Sequence, residues 1–534
     1  MNRKTLVLAA VVGLLAPVLA GCGDTDGGSG DSDAIVVGTT DRFTASEDDP
    51  APIDPASAYD VGTWNVLRQT VQTLMIQPRG AGEPVPEAAE SCGFTDAGNE
   101  RYRCTLRKGL KFANGDPVTA EDVKYSIDRA LAIKADSEVY ALLSTIDTVE
   151  TQGDREVIFH LKSADATFPY KLSTPVAGIV HPDSYAKDKL RDGFEVDGSG
   201  PYVLDAEVDK GEMVRATFTK NPHYKGSLKV NSDKLQMVSF ADPDAMGDAL
   251  EHDDIDVMTR TMSPDQIDEL AGNAEDDIDL VEMPGLEIRY LVFNTDAPAV
   301  KSKAVRQAMA HTVDRGALVS SVYGSQAEPL YSLVPATVTG HSNSFFNQYG
   351  DPDPAKAREL LEDAGISTPV ELTLHYNTDH YGPGTKAEFE QLKKQLDASG
   401  LFRIDIKGHP WSTYRPAGQE GEYDVYGMGW FPDFPDADNF LAPFLDENNF
   451  LRSPYANDKI RDDLIPASRR QADRLSAAGS LTNIQDIVAD DVPVLPLWQG
   501  KQYLAAHDDI TGTAYSLNSS ATLQLWELGR GVDG

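Results

Sequence analysis

From Ala34 onward the chain alternates short runs of β character with helical runs. That alternation restricts it to α/β architectures more tightly than any composition figure does. Ile35-Val36-Val37 reads as a first strand that stops at Gly38, and Tyr102 to Leu106 and Val157-Ile158-Phe159 read as further strands. Thr119 is a good helix N-cap with Asp122 in the capping-box position, and Val123, Ile127, Ala130 and Leu131 follow at helical spacing. Phe168 to Val176 reads as irregular and proline-broken. In the second half, Val305, Ala308, Met309 and Val313 form an apolar helical face. Asp353 caps a helix whose first position is Pro354, and Gly365 stops it. Val370 to Leu374, Phe402 to Ile406 and Asp424 to Met428 read as strands, with a helix over Glu388 to Leu396 ended by Gly400. No short repeat or heptad pattern interrupts this order.

At 534 residues and 41% hydrophobic content, the chain is long enough for two or three lobes with their own cores. Ahead of them stands a leader. Asn2, Arg3 and Lys4 are a short positive region, and Leu6 to Leu19 is apolar, uncharged and short for a membrane span. Leu19-Ala20-Gly21-Cys22 then reads as a lipobox, with Cys22 the lipidated residue of a bacterial lipoprotein once residues 1–21 are removed. Residues 22–33, rich in Gly, Asp and Ser, read as a flexible tether; no Glu at the twelfth position supports a calcium loop. The expected location is the outer face of the cytoplasmic membrane, on the periplasmic side or cell surface, held by acyl chains. A net charge of −38 repels phosphate backbones and excludes nucleic acid as a partner. Cys92 and Cys104 flank a polar stretch and follow a secretion signal, so a disulfide between them is expected outside the cell.

Catalytic and metal signatures are missing from the sequence. It has no GxSxG, HExxH or Walker loop, and Gly382-Pro383-Gly384 and Gly427-Met428-Gly429 lack the third glycine of a dinucleotide fingerprint. The ten histidines are scattered, and His375 and His380 are spaced poorly for a shared metal. No enzyme activity, no cofactor and no metal are expected.

Tyr102-Arg103-Cys104-Thr105-Leu106-Arg107-Lys108-Gly109-Leu110-Lys111-Phe112, followed by Asn114-Gly115-Asp116-Pro117-Val118-Thr119-Ala120-Glu121-Asp122-Val123, resembles the signature of the family 5 extracellular solute-binding proteins. These are the oligopeptide- and dipeptide-binding lipoproteins of ABC transporters. Gly198-Ser199-Gly200-Pro201-Tyr202 resembles the family's G-T-G-P-Y turn, and Lys220-Asn221-Pro222-His223-Tyr224 its R-N-P-x-Y. Val292-Phe293-Asn294, Val305-Arg306-Gln307-Ala308 and Val313-Asp314-Arg315 resemble a further block, and Val492 to Leu497 a late one. The resemblance runs over roughly residues 35 to 530. It implies a two-lobed, periplasmic-binding-protein-like α/β fold of class II, cluster C type, with an extra small domain in the N-terminal half. The implied divisions are lobe I over 33–62, 186–288 and 494–534, the extra domain over 63–185, and lobe II over 289–493. Hinge closure would bury a ligand between the lobes.

The resemblance also points to a binding site. Tyr423 to Asp433 looks like the family's strand ending in G-W-x-x-D, whose aspartate pairs with the ligand's α-ammonium; carried over, that residue is Asp433. Trp430 and Trp411 resemble the aromatic pair lining side-chain pockets, and Gly427, Met428, Gly429 and Phe431 complete the stretch. The glycines would let a peptide backbone add to the strand. The competing structural reading makes both tryptophans core residues and Asp433 a cap or an ion-pair partner. Pro432, just before Asp433, is a departure from the pattern. The expected partners are a small peptide, the ABC permease and its ATPase, and the membrane through Cys22, the protein itself being a monomer. The rivals are the same fold with an oligosaccharide, nickel chelate, haem or glutathione as ligand, a peptide-sensing surface lipoprotein, and a lipoprotein enzyme.

Overall fold

Apolar side chains in the computed structural model gather into two large clusters, and the chain passes between them on two long strands. The structure describes residues 34–531 apart from 48, 80–81, 135–137, 261, 273–276 and 448. The leader, Cys22 and the whole tether over 22–33 fall outside the described residues. One cluster takes its members from Leu286 through Trp498; the other joins Ile35 through Val257 to Leu504 through Leu528. A smaller third cluster around Met246, Leu250 and Met258 lies beside Tyr503 and Ala505.

The crossing strands are Ile278–Phe293 and Val494–His507, paired antiparallel. Met283 belongs to the first-half cluster and Leu286 to the second; on the partner strand Leu504 and Trp498 divide the same way. Their register breaks between Pro284 and Ile288. There a Cβ on Gly285 would overlap the carbonyl of Gly500, so the two backbones pass closer than any side chain permits.

Around this pair runs an eleven-stranded sheet. On one side Val425–Trp430 pairs antiparallel with Ile278–Phe293, then Val370–Asn377 and Phe402–His409 follow in parallel. On the other, Val257–Thr259, Ile35–Thr39 and Lys234–Ser239 lie next to one another, with antiparallel Glu212–Lys220 and Tyr202–Asp209 beyond. The extra N-terminal element is a four-stranded antiparallel sheet of Ala89–Phe94, Arg101–Leu106, Glu156–Leu161 and Ile146–Gln152. Cys92 and Cys104 face each other across the first pair and are joined as a disulfide.

Local chemistry sets the helix ends. Thr119 and Asp122 form a capping box at the start of Ala120–Ile133, which buries Val123, Ile127 and Ala130. Asp353 accepts from the Lys356 amide at 3.0 Å, with Pro354 in the first turn of Pro354–Asp363. The stretch from Phe168 to Val176 is more ordered than its prolines suggest. Pro169 and Pro175 stand in the first turns of the short helices Phe168–Lys171 and Pro175–Ala177, where a missing N–H costs nothing.

Candidate functional site

Val425–Trp430 is buried along its whole length, then leaves the sheet toward the junction of the two halves. Beyond it, residues 431–437 turn into the helix Asp438–Leu445. A cleft of about 820 Å³ opens here. Tyr59, Trp64 and Arg68 line its first-half wall, and Arg289, Trp411 and Asp433 its second-half wall. Its volume falls within the range of small-ligand sites.

Asp433 is 9% exposed. Its carboxylate accepts from the Tyr59 hydroxyl at 2.6 Å, across the cleft, and from Asn439 Nδ2 at 2.7 Å. The Asp433 amide donates back to Asn439 Oδ1 at 2.8 Å. The two donors, one on each carboxylate oxygen, hold the group in one orientation. The next residue, Phe434, is buried in the first-half cluster and stacks on Tyr170 at 5.6 Å.

Trp411 begins the helix Trp411–Gln419 and lies flat on His380, ring centroids 3.9 Å apart at 5°. Its amide donates to Asp379 at 2.8 Å. Burial, reinforced by the charge of Arg289, pushes His380 down to about 4, so a neutral imidazole covers the indole face. Trp430 is 6% exposed and packs edge-on against Phe444 and Phe450. It lines the cleft while belonging to the core, and its indole Nε1 has no partner among the described residues. Phe431 and Gly429 also line the cleft.

Gly427 and Met428 stand behind that wall. A Cβ on Gly427 would overlap the Phe389 ring, and Met428 is 3% exposed. The carbonyls of Gly427 and Gly429 already accept from the hydroxyls of Tyr414 at 2.6 Å and Tyr381 at 3.3 Å. Both bonds occupy the groups that a peptide strand added here would use.

Sequence reasoning missed Tyr59 and Arg289. Arg289 pairs with Glu287 and carries its guanidinium 4.1 Å from the Tyr381 ring centroid and 5.2 Å from that of Trp498. A signal was available: Glu287 and Arg289 sit two apart, on one face of the strand, inside its apolar second half from Leu286 to Phe293. Beneath them Glu388 accepts from Tyr323 at 2.6 Å and Trp498 Nε1 at 2.9 Å. Burial raises its carboxyl pKa, against the pull of those two donors and Arg289.

Two α/β lobes joined by a pair of crossing strands, with a cleft of this size between them, define a two-lobed binding protein of the periplasmic class. Residues 83–451 match the family described as bacterial extracellular solute-binding proteins, family 5 Middle, and the chain belongs to that family. It is a binding protein and not an enzyme. Among its relatives is the di/tripeptide-binding protein 1 of Pseudomonas aeruginosa, 27% identical over 490 residues, covering 86% of this chain and 88% of the relative. Another is the oligopeptide-binding protein OppA of Bacillus subtilis, 25% identical over 523 residues, covering 93% and 94%. The fold is that of the ABC transporter substrate-binding protein CtaP of Listeria monocytogenes, with a TM-score of 0.79 at 21% identity over 93% of this chain and 99% of that one.

Proposed function

We propose that this chain is the lipid-anchored receptor of an ABC importer, and that it captures short peptides by their α-ammonium at Asp433 and delivers them to the permease. The observation that carries this reading is the Asp433 carboxylate, fixed by Tyr59 from one lobe and Asn439 from the other at the wall of an 820 Å³ cleft. A carboxylate already oriented by two donors accepts an ammonium without reorganising. The names of the peptide-binding relatives support the same ligand class. Trp411, Trp430, Phe431 and Gly429 surround the ligand in this reading, while Gly427 and Met428 support the strand from behind. Lobe I comprises 33–62, 186–288 and 494–534, the extra domain 63–185 and lobe II 289–493. The mature monomer is tethered through Cys22 at the outer face of the membrane; no helix among the described residues is long and apolar enough to cross a bilayer. Permease and ATPase supply transport and energy.

The test is calorimetric titration of the protein truncated after Cys22 with a pool of tri- to pentapeptides, free and N-acetylated, alongside Asp433→Ala. Free peptides should bind, and both acetylation and the substitution should weaken binding about tenfold or more, the worth of a charge-assisted bond. Absence of binding by either pool would overturn the peptide reading.

A further inference from the structure

We propose that Phe434 is a latch between the two halves: seated against Tyr170 beside the four-stranded sheet, it sets how far they close and how Asp433 is presented, and so acts as a positioning residue for binding. The affinity part of the proposal rests on the ligand binding beside Asp433; the closing contact stands apart from that reading.

Phe434 is out of place in its own half. Its neighbours in the chain, Trp430, Ala437 and Phe440, belong to the cluster that runs from Leu286 to Trp498. Phe434, 2% exposed, belongs to the other, and among the described residues it is the only member of that cluster drawn from 289–493. No described residue before Leu286 enters the second-half cluster in return. The contact is therefore a single apolar knob in a socket, not a core shared by the two halves.

The socket is built on the far side. Phe168 opens the short helix Phe168–Lys171 and packs edge-on against Tyr102 at 5.5 Å and Phe159 at 5.2 Å, on two strands of the four-stranded sheet. Tyr170 leaves the helix on a different side, because residues two apart on a helix do not face the same way. It takes the Phe434 ring at 5.6 Å with the planes 29° apart. Nearby, the Ala166 amide donates to the Arg469 carbonyl at 2.8 Å, and the Tyr59 hydroxyl donates to Asp433 at 2.6 Å.

The seam has the composition of a contact that opens. The charged groups along it have counter-charges on their own side. Lys171 pairs with Asp165 at 2.7 Å in the first half; Arg469 pairs with Asp438 at 3.0 Å and Arg474 with Asp436 at 2.7 Å in the second. Parting the halves leaves these pairs intact, so no buried ion is stranded. What parting gives up includes the burial of Phe434 and the Ala166–Arg469 and Tyr59–Asp433 bonds. Contacts of this size are ones that a ligand can tip.

Phe434 and Asp433 are consecutive, and Pro432 and Pro435 stiffen the backbone on either side. Asp433 is also tied to Asn439 of its own half through both amide and carboxylate. Ring and carboxylate therefore move as one piece. With the ring on Tyr170 the carboxylate meets Tyr59; with the ring withdrawn, the carboxylate leaves the first-half wall with it. Phe434 itself is not part of the cleft wall, so any effect of its side chain on a ligand passes through closure.

The experiment compares the protein truncated after Cys22 with its Phe434→Ala and Phe434→Leu variants, by amide hydrogen exchange with and without tri-alanine and by tri-alanine binding kinetics. The Ala166 amide reads the seam directly, and the amides of Arg101–Leu106 and Glu156–Leu161 read the sheet behind it. Exchange at Ala166 should rise about ten- to hundredfold in Phe434→Ala, the scale of an apolar side chain withdrawn from burial, with the sheet amides unchanged. Phe434→Leu, which refills most of the socket, should recover most of the protection. Tri-alanine should bind Phe434→Ala about tenfold more weakly, through faster dissociation at an unchanged association rate. Exchange at Ala166 that is equal in wild type and Phe434→Ala under both conditions overturns the proposal. So does a parallel rise at Ala166 and in the sheet, which marks Phe434 as a plain core residue. Selective loss of protection at Ala166 with unaltered tri-alanine affinity overturns the positioning role. If tri-alanine binds neither wild type nor variant, the peptide reading fails instead, and exchange at Ala166 alone decides the latch.

Discussion

Replacing Asp165 by asparagine should cost the folded protein about 3–5 kcal/mol at neutral pH, the price of breaking a buried ion pair by removing one partner. Asp165 is fully buried, and its Oδ2 accepts from Lys171 Nζ at 2.7 Å and from Thr145 at 3.0 Å. Its Oδ1 accepts from the Thr167 hydroxyl at 2.6 Å and amide at 3.1 Å. An asparagine oxygen can serve Thr167, but its NH₂ then meets the Lys171 ammonium and the Thr145 hydroxyl, donor against donor. Lys171, 5% exposed, is left charged with no anion beside it. The damage falls on a junction, because the neighbouring Ala166 amide donates to the Arg469 carbonyl of the second half at 2.8 Å. Burial pushes the Asp165 carboxyl up, but Lys171 and Arg469 outweigh it and hold it well below the ordinary value of 3.8. The sign follows: the native state releases this proton more readily than the unfolded chain does. The contribution is therefore complete above the unfolded value and is lost as pH falls below 3.8 toward the folded one. Urea denaturation of wild type and variant at pH 7, 5 and 3 measures this. The deficit should be equal at pH 7 and 5 and smaller at pH 3. A deficit below about 1 kcal/mol at pH 7, the scale of an exposed pair, would refute the reasoning.

Glu388→Gln keeps an oxygen for Tyr323 and Trp498 while removing a buried charge. Because burial raises the native carboxyl pKa, wild-type stability falls as pH rises from 4.5 through the folded value, so the variant's melting temperature should gain on wild type between pH 4 and 8. A gap that narrows with pH refutes this. Gly427→Ala forces a methyl into the Phe389 ring and should cost about 1–3 kcal/mol in urea unfolding; an unchanged midpoint would place that ring elsewhere. The double variant Cys92→Ser, Cys104→Ser should lose about 2–4 kcal/mol against the oxidised wild type, and reduction should bring the wild type to the same level.

What the sequence made legible was local. Thr119 with Asp122, Asp353 with Pro354, and the strand read at Asp424 to Met428 and found over Val425–Trp430 follow from contacts a few residues apart, where side-chain type and spacing suffice. The cleft was legible only in part, because its walls come from distant segments: Tyr59 reaches Asp433 across 374 positions, and no periodicity records such a bond. The glycines of 427–429 show a different limit. A glycine in a strand signals that something approaches the backbone closely, without saying what. At Gly427 the neighbour is the Phe389 ring, and at Gly429 it is the Arg289 guanidinium.

Pro432 is where the two kinds of information meet. In sequence it stands out as a stiff residue just before the proposed ligand anchor. In the structure, stiffness fits what the 431–438 segment does, since successive side chains fasten it in different directions. Asp433 bonds to Tyr59, Phe434 enters the first-half cluster, Asp436 forms a bidentate pair with Arg474 at 2.7 and 3.0 Å, and Asp438 another with Arg469 at 3.0 Å. Two prolines, at 432 and 435, reduce the backbone freedom those contacts must overcome. A carboxylate meant to recognise a charged group gains most from being immobile before the ligand arrives, because every rotamer frozen on binding subtracts from affinity. The rigidity of this turn and the placement of Asp433 are thus two aspects of one arrangement.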